Sequence, residues 1–332
     1  MLMAAESPRL APRAVRHTAC RVAVALGCLL WLVSVPVRPA EPIKPIPAEV
    51  PHDPDKAKLG RRLFHEPLLS DDQTLSCASC HDLARGGDDG RRYSVGIDGQ
   101  QGTINAPTVY NAVFNVAQFW DGRARSLKAQ VDGPVQAANE MGSLWPDVVA
   151  RLYRHPEYPA LFDAVYEDGI SRENIKDAIT HFERTLITPN SRFDRWLAGN
   201  ENALNSQEVE GYRRFKEYGC TSCHQGRNAG GNMFQKFGVL NSYFTHRGNI
   251  TEADYGRFNV TGNEADRHVF KVPSLRMAAH TAPYLHDGSA ATLREAVDIM
   301  FRYQLGRQAP EAHKEAIVAF IRTLAGEMGG LQ

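Results

Sequence analysis

The chain has 332 residues, 43% of them hydrophobic and 23% charged. These are the proportions of a folded protein of about two domains, not of a disordered chain or a multi-span membrane protein. Lys and Arg number 38 and Asp and Glu number 38, so no basic excess speaks for nucleic acid, and the 27 Gly and 19 Pro follow no repeat.

Residues 1–40 read as a signal peptide or N-terminal anchor. Arg9, Arg13, Arg16 and Arg21 stand against a single acid, Glu6, and an apolar run from Val22 to Val37 follows. A basic segment, a short apolar segment and then polar chain is the plan of a secretory signal. The run is shorter than the ~20 residues a spanning helix needs. Cleavage near Ala40 and retention as an anchor both stay open, because Arg38 sits where a small residue is preferred. Without this segment the chain carries 33 basic and 37 acidic residues, a net charge of −4. Residues 41–58 hold five prolines and read as an extended tether, with 41–55 as the linker proper.

A helix is expected over Lys56–Phe64, where Leu59, Leu63 and Phe64 share a face. Next comes Cys77-Ala78-Ser79-Cys80-His81, and much later Cys220-Thr221-Ser222-Cys223-His224. Each is C-x-x-C-H, the attachment sequence of a c-type haem. Two thiols at this spacing add across the two vinyl groups, and the next residue, His, reaches the iron from the same face. A zinc site and a thiol–disulfide motif are the bland rivals. Zinc would need two groups 143 residues apart to converge. Disulfide exchange needs no His after each second Cys. The motifs therefore imply two covalently bound haems, which agrees with export from the cytoplasm.

Residues 86–105, dense in Gly, Asp and Gln, read as a loop over the first haem. Amphipathic helices are expected over Leu144–Tyr153 and over Ser171–Ile187, the latter N-capped by Ser171. Residues 191–204 look like a domain boundary. Asn205 and Glu208 offer a capping box, and that helix should run to Tyr218 and stop at Gly219, just before Cys220. Residues 225–270 read as loop. Helices follow over Leu293–Phe301 and Ala312–Leu324, and no strand run stands out. The expected fold is mainly α: two cytochrome c-like haem domains, 56–190 and 191–332, with long connecting loops and little strand. The last helix is free to pack on the first domain.

Asn105–Gln130, with its FWDGRA core, and Thr281–Leu293, with PYLHDG, resemble the bacterial dihaem cytochrome c peroxidases. That wider family includes enzymes that oxidise a precursor protein to build a tryptophan-derived quinone cofactor. The resemblance covers residues 56–325. It implies that His81 is the proximal ligand of a reactive N-terminal haem and His224 that of an electron-entry haem. It implies Trp120 between the haems, Glu140 and Gln130 as distal polar groups with Phe119 beside them, and Met300 as the ligand completing the second haem. It further implies one calcium ion between the domains, held by Asn105, Thr281 and Pro283. Read on residues alone, Met300 could be packing and Met233 or Met277 could serve instead; Trp120 could be core and Glu140 a surface acid. One departure stands out. Many relatives read S-x-G-H in the loop after the first motif, and that His caps the oxidised reactive haem. Here Ser94-Val95-Gly96 is followed by Ile97, which has no lone pair. His65, His155 and Tyr93 have no supporting spacing, so an open or water-bound first haem is expected.

Three functions compete. The first is periplasmic reduction of hydrogen peroxide, with a small c-type cytochrome or cupredoxin as electron donor. The second is oxidation of a protein to form a quinone; those relatives carry Tyr where Met300 stands. The third is electron transfer without catalysis, against which Gln130 and Glu140 speak. No nucleic-acid partner is expected, and a homodimer is compatible with the chain.

Overall fold

The computed structural model describes residues 41–330, and the signal or anchor segment lies outside them. Among the described residues no helix is long and apolar enough to cross a membrane. The chain opens with α1 (Pro54–Phe64) and the one-turn α2 (Cys77–Cys80). It continues through α3 (Leu127–Gln130), α4 (Asp132–Gln136), α5 (Trp145–Arg154), α6 (Tyr158–Asp163) and α7 (Arg172–Glu183). Then follow α8 (Arg192–Leu197), α9 (Ser206–Glu217), β1 (Phe234–Lys236), α10 (Tyr243–Arg247) and α11 (Phe258–Thr261). The chain closes with β2 (Val269–Lys271), α12 (Leu293–Ile299) and α13 (Glu311–Arg322). The mainly helical expectation holds, with one addition. β1 and β2 form an antiparallel pair that sets Phe234 opposite Lys271 and Gln235 opposite Phe270. Three residues are too few for the alternation that marks a strand in sequence.

Local chemistry sets the helix ends. Asp53 caps α1 by accepting from the N–H groups of Asp55 and Lys56, with Pro54 in the first turn. Asn205 and Glu208 form the expected reciprocal box on α9, and Gly219 leaves that helix with φ 81°. α7 starts at the Ser171 cap but ends at Glu183, four residues before the expected Ile187. There the Thr185 hydroxyl and N–H both donate to the Phe182 carbonyl, at 2.7 and 2.8 Å, and Leu186 N–H donates to Glu183 O at 3.1 Å. This tightening turn sends the Leu186 carbonyl sideways to Asn111 N–H, 2.8 Å away. α12 also stops short of Phe301. From Met300 to Gln304 the coil widens to a π turn, with Leu305 N–H donating to Met300 O at 3.0 Å.

Each motif is gripped by a helix pair built in the same way. α1 packs along α7, and a Cβ on Gly60 would lie 1.9 Å from the Ala178 carbonyl oxygen. α9 packs along α13, and a Cβ on Gly211 would lie 1.9 Å from the Ala316 carbonyl oxygen. In both pairs only glycine lets the backbones approach this closely. One apolar cluster runs from Leu59 to Ile179 and another from Phe193 to Leu324, with Ile43 added. Ile175, Ile179 and Phe182 of α7 are almost fully buried. Burying each contributes about 1.5–3 kcal/mol relative to exposure.

Two connections differ from expectation. The proline-rich tether is extended but not free, because Ile43, Ile46 and Val50 are buried. Lys44 N–H donates to Gly226 O, and the fully buried Arg276 donates to Lys44 O at 2.5 Å while pairing with Asp194 at 2.8 Å. The apolar residues spaced among the prolines thus act as anchors. The closing helix packs on α9, and the tail after it reaches the first half instead. Glu327 N–H donates to Pro189 O, Gly329 N–H to Ile187 O, and Tyr110 Oη to Gly329 O.

Glu183, at the end of α7, is buried, and its Oε2 has no hydrogen-bond partner among the described residues. Burial pushes its pKa from 4.5 up to about 8. Between those values the native state holds a proton that the unfolded chain releases, so this contribution to stability is lost as pH rises through the window. Glu183→Gln removes the titration. The melting temperature of the variant relative to wild type is expected to climb between pH 5 and pH 8. A difference that stays constant over that range would overturn the assignment.

Candidate haem sites and the space between them

In the first motif the one-turn α2 brings the thiols together, and His81 N–H donates to Cys77 O at 3.0 Å. In the second, a 3-10 turn over Cys220–Ser222 does the same, and His224 N–H donates to Cys220 O at 2.9 Å. Both imidazoles are then oriented from behind. His81 Nδ1 donates to Gly87 O at 3.0 Å, and His224 Nδ1 donates to Ala229 O at 3.2 Å. That bond selects the tautomer whose Nε2 lone pair is free to ligate. Surrounding protein pushes His224 down to about 4, against the pull of the Ala229 and Pro273 carbonyls. His81 is lowered in the same way, against the Gly87 carbonyl. Both rings are therefore neutral, as a ligand must be.

The rivals to haem do not fit this arrangement. All four thiols are free, and burial pushes both Cys77 and Cys220 up to about 12. Burial in this way opposes the reactive thiolate that disulfide exchange uses. Among the described residues the cysteines join no cluster of metal-ligating groups.

A cavity opens on the second motif. Cys220, Cys223, His224, Met300, Trp120 and Lys271 are on its wall, and it holds about 1800 Å³ with its open mouth included. A Cβ on Gly230 would lie 2.1 Å from Pro273 O and 3.4 Å from His224 Nδ1, so glycine leaves room for the loop behind the ring. Met300 faces the same space as His224, and the π turn begins at that residue. Met277 is fully buried in another cluster, and neither Met277 nor Met233 lines the cavity. The residues fit a covalently attached, His- and Met-ligated haem.

Phe119 and Trp120 turn to opposite sides. Phe119 has φ 65°, with its ring against Gly133 of α4 and the Arg123 guanidinium 3.5 Å from the ring centre. Gln130 closes α3 one turn earlier. Glu140 lies beyond α4. Burial raises its pKa, Arg123 opposes the rise, and its charge in turn bears on Cys80. Phe119, Arg123 and Glu140 therefore gather on the side of the first motif. Trp120 instead lines the second cavity, donating from Nε1 to Asn105 O at 2.9 Å and accepting from Lys271 N–H at 2.8 Å. Asn105, Thr281 and Pro283 share that cavity wall, and Asn105 Nδ2 donates to Arg91 O at 2.8 Å. Ile97 is buried against Gly142, and its N–H donates to Glu140 O at 2.9 Å. The loop of Ser94–Ile97 is thus clasped to the Glu140 segment by an apolar side chain.

Residues 54–202 match the di-haem cytochrome c peroxidase family. The chain is 48% identical over 288 residues to the cytochrome c551 peroxidase of Nitrosomonas europaea, covering 86% of this chain and 85% of that one. The chain belongs to the di-haem cytochrome c peroxidase family. It is also 50% identical over 287 residues to cytochrome c peroxidase Ccp of Escherichia coli (strain K12), 86% of this chain, but spans only 61% of that longer protein. In three dimensions it is similar to a MauG-like protein associated with microbial copper homeostasis, with TM-score 0.72, 30% identity, and coverage of 88% and 95%.

As a member of this family the protein is a peroxidase-class oxidoreductase with two haems. Around its Trp120, sequence reading missed a buried polar group. His286 Nε2 donates to Asp254 Oδ1 at 2.8 Å, and Arg247 bridges Asp254 at 2.5 Å and Asp287 at 2.6 Å. Burial opposes ionisation of Asp254, but the hydrogen bonds from His286 and Arg247 outweigh it and hold the carboxyl well below its usual range. Arg247 already supplies the positive charge between the two carboxylates. The His286 ring stands edge-on to Trp120 with centres 6.4 Å apart, and its carbonyl accepts from Asn105 N–H at 2.7 Å. Two of these residues lie within PYLHDG, but Arg247, at the end of α10, and Asp254, in a short 3-10 turn, carry no sequence signature.

Thioether ligation raises a haem potential. Met300→Ala is expected to keep two haems per chain while lowering the potential of the second, read in a spectroelectrochemical titration. Unchanged potentials would leave Met300 as packing alone.

Proposed function

We propose that this protein reduces hydrogen peroxide to water in the periplasm, taking electrons one at a time from a small c-type cytochrome or cupredoxin. The observation that carries the reading is the split at Phe119-Trp120. Trp120 faces the cavity of His224 and Met300, while Phe119 faces the side of Glu140 and the first motif. In this reading residues 56–190 are the peroxidatic half and 191–332 the electron-entry half. Family membership and identity to cytochrome c peroxidases support it. Met300, in place of a tyrosine, speaks against the protein-oxidising alternative.

Bound haem supplies iron that carries electrons and breaks the O–O bond. The residues around it do the rest. His81 and His224, each held by a carbonyl on Nδ1, present Nε2 in a set direction. Trp120 is fixed by Asn105 O and puts an aromatic ring between the two halves. Glu140, whose pKa is raised by burial, takes a proton from one peroxide oxygen and delivers it to the other, so that the latter leaves as water. Gln130 orients peroxide by hydrogen bonding, and Phe119 with Arg123 narrows the approach. One calcium ion fits the Asn105 side-chain oxygen and the Thr281 and Pro283 carbonyls, with water completing its shell. Addition of a chelator is expected to slow turnover, and added calcium to restore it. Turnover indifferent to both would remove the ion from the reading.

The decisive measurement is peroxide turnover by the as-isolated, fully oxidised protein with reduced cytochrome c. Ile97 brings no ligand to the first haem, so turnover should begin without prior reduction, and the oxidised protein should show a high-spin signal in electron paramagnetic resonance. Glu140→Gln should keep both haems and lose ~10²–10⁴ in rate. Exclusively low-spin haem with a need for pre-reduction would reject the open first site. A loss below about threefold would remove Glu140 from the proton transfer.

A further inference from the structure

Lys271 is a buried cation with no side-chain partner among the described residues. Only 7% of its surface is exposed, and it stands on β2 opposite Phe234. Its backbone N–H is committed to Trp120 O. Its ammonium makes no hydrogen bond among the described residues, and no carboxylate lies within the 4.0 Å that defines an ion pair. Among the described residues, the other buried Lys and Arg side chains all have ion-pair partners. Arg276 is paired with Asp194, Lys176 with Asp132 and Lys314 with Asp298. The nearest charge acting on Lys271 is Asp121, and that carboxylate is already held by Arg123 at 2.9 Å. Burial accordingly pushes Lys271 from 10.5 down to about 8.

An ammonium held in a largely buried position without a counter-ion is costly, and it either gives up its proton or meets an anion. The cavity supplies the place for that anion, since Lys271 shares its wall with His224, Met300 and Trp120. A haem bound through Cys220 and Cys223 brings two carboxylates of its own, the propionates. We propose that the Lys271 ammonium pairs with a propionate of the second haem, beside Trp120, and thereby completes the cofactor site and tunes the potential of that haem. This rests on the two-haem reading but not on peroxide turnover. Its backbone link to Trp120 makes β2 the element that sets the bridging tryptophan and the propionate anchor in one register.

Electrostatics gives the direction. A cation on the propionate offsets the negative charge that reduction adds to the haem, so its removal favours the oxidised state. Lys271→Met keeps the length of the apolar stem and removes the charge. In a spectroelectrochemical titration of the haem-loaded variant, the second haem is expected to shift at least tenfold toward its oxidised form, which is 59 mV for one electron. Lys271→Arg should recover most of that shift, and the first haem should stay where it is in wild type. A second-haem potential unchanged in Lys271→Met, with two haems still bound, overturns the proposal. A crystal structure of the haem-loaded wild type decides the point without any variant. Nζ at hydrogen-bonding distance from a propionate oxygen supports the pairing. Nζ turned to Asp121, with both propionates held elsewhere, overturns it. If peroxide is not turned over while the potential still moves, the function proposed above fails and this pairing stands.

Discussion

Each motif histidine donates a hydrogen bond from Nδ1 to a loop carbonyl, and much of the fold serves those two bonds. A proximal ligand must present one nitrogen, neutral and in one direction. For His81 the carbonyl comes from Gly87, at the end of a turn that starts at Asp82. For His224 it comes from Ala229, in a loop closed by Gly230 against Pro273. Behind each loop stands a pair of helices whose backbones touch at a glycine, Gly60 of α1 against α7 and Gly211 of α9 against α13. Those rigid crossings keep thiols, imidazole and carbonyl in register, which covalent attachment at two sulfurs demands.

The halves differ in what they offer beyond that shared frame. The second half adds Met300 at the start of a π turn and closes a cavity around it. The first half adds a raised carboxyl acid, Glu140, with Arg123 and Phe119 nearby. In the proposed reading one site completes a ligand set and the other moves protons. The dipeptide Phe119-Trp120 gives one ring to each side through a backbone turn at φ 65°.

The polar groups around Trp120 form the second layer of that coupling. Asn105 accepts from the Trp120 indole and is itself tied to the His286 backbone. His286, Asp254, Arg247 and Asp287 then make a buried array in which every charge has an opposite beside it. Lys271, on the cavity wall beside Trp120, is the exception, with no ion-pair partner among the described residues.

The sequence by itself determined the attachment chemistry, because C-x-x-C-H is contiguous and its geometry is local. The same holds for the caps of α1, α7 and α9, where Asp53, Ser171 and Asn205 act on N–H groups two or three residues away. Only the tertiary structure decided what depends on distant segments meeting. The end of α7 is set by Asn111 drawing on Leu186 O, 75 residues away in the chain. The buried course of the tether is set by Gly226 and Arg276. That Met300 lines the cavity while Met233 and Met277 do not is visible only in the fold, because apolar periodicity is the same for a ligand as for a core residue. The short strands and the isolation of Lys271 carry no periodic signal at all, because pairing across a sheet and burial without a partner are properties of the folded surroundings and not of neighbours in the chain.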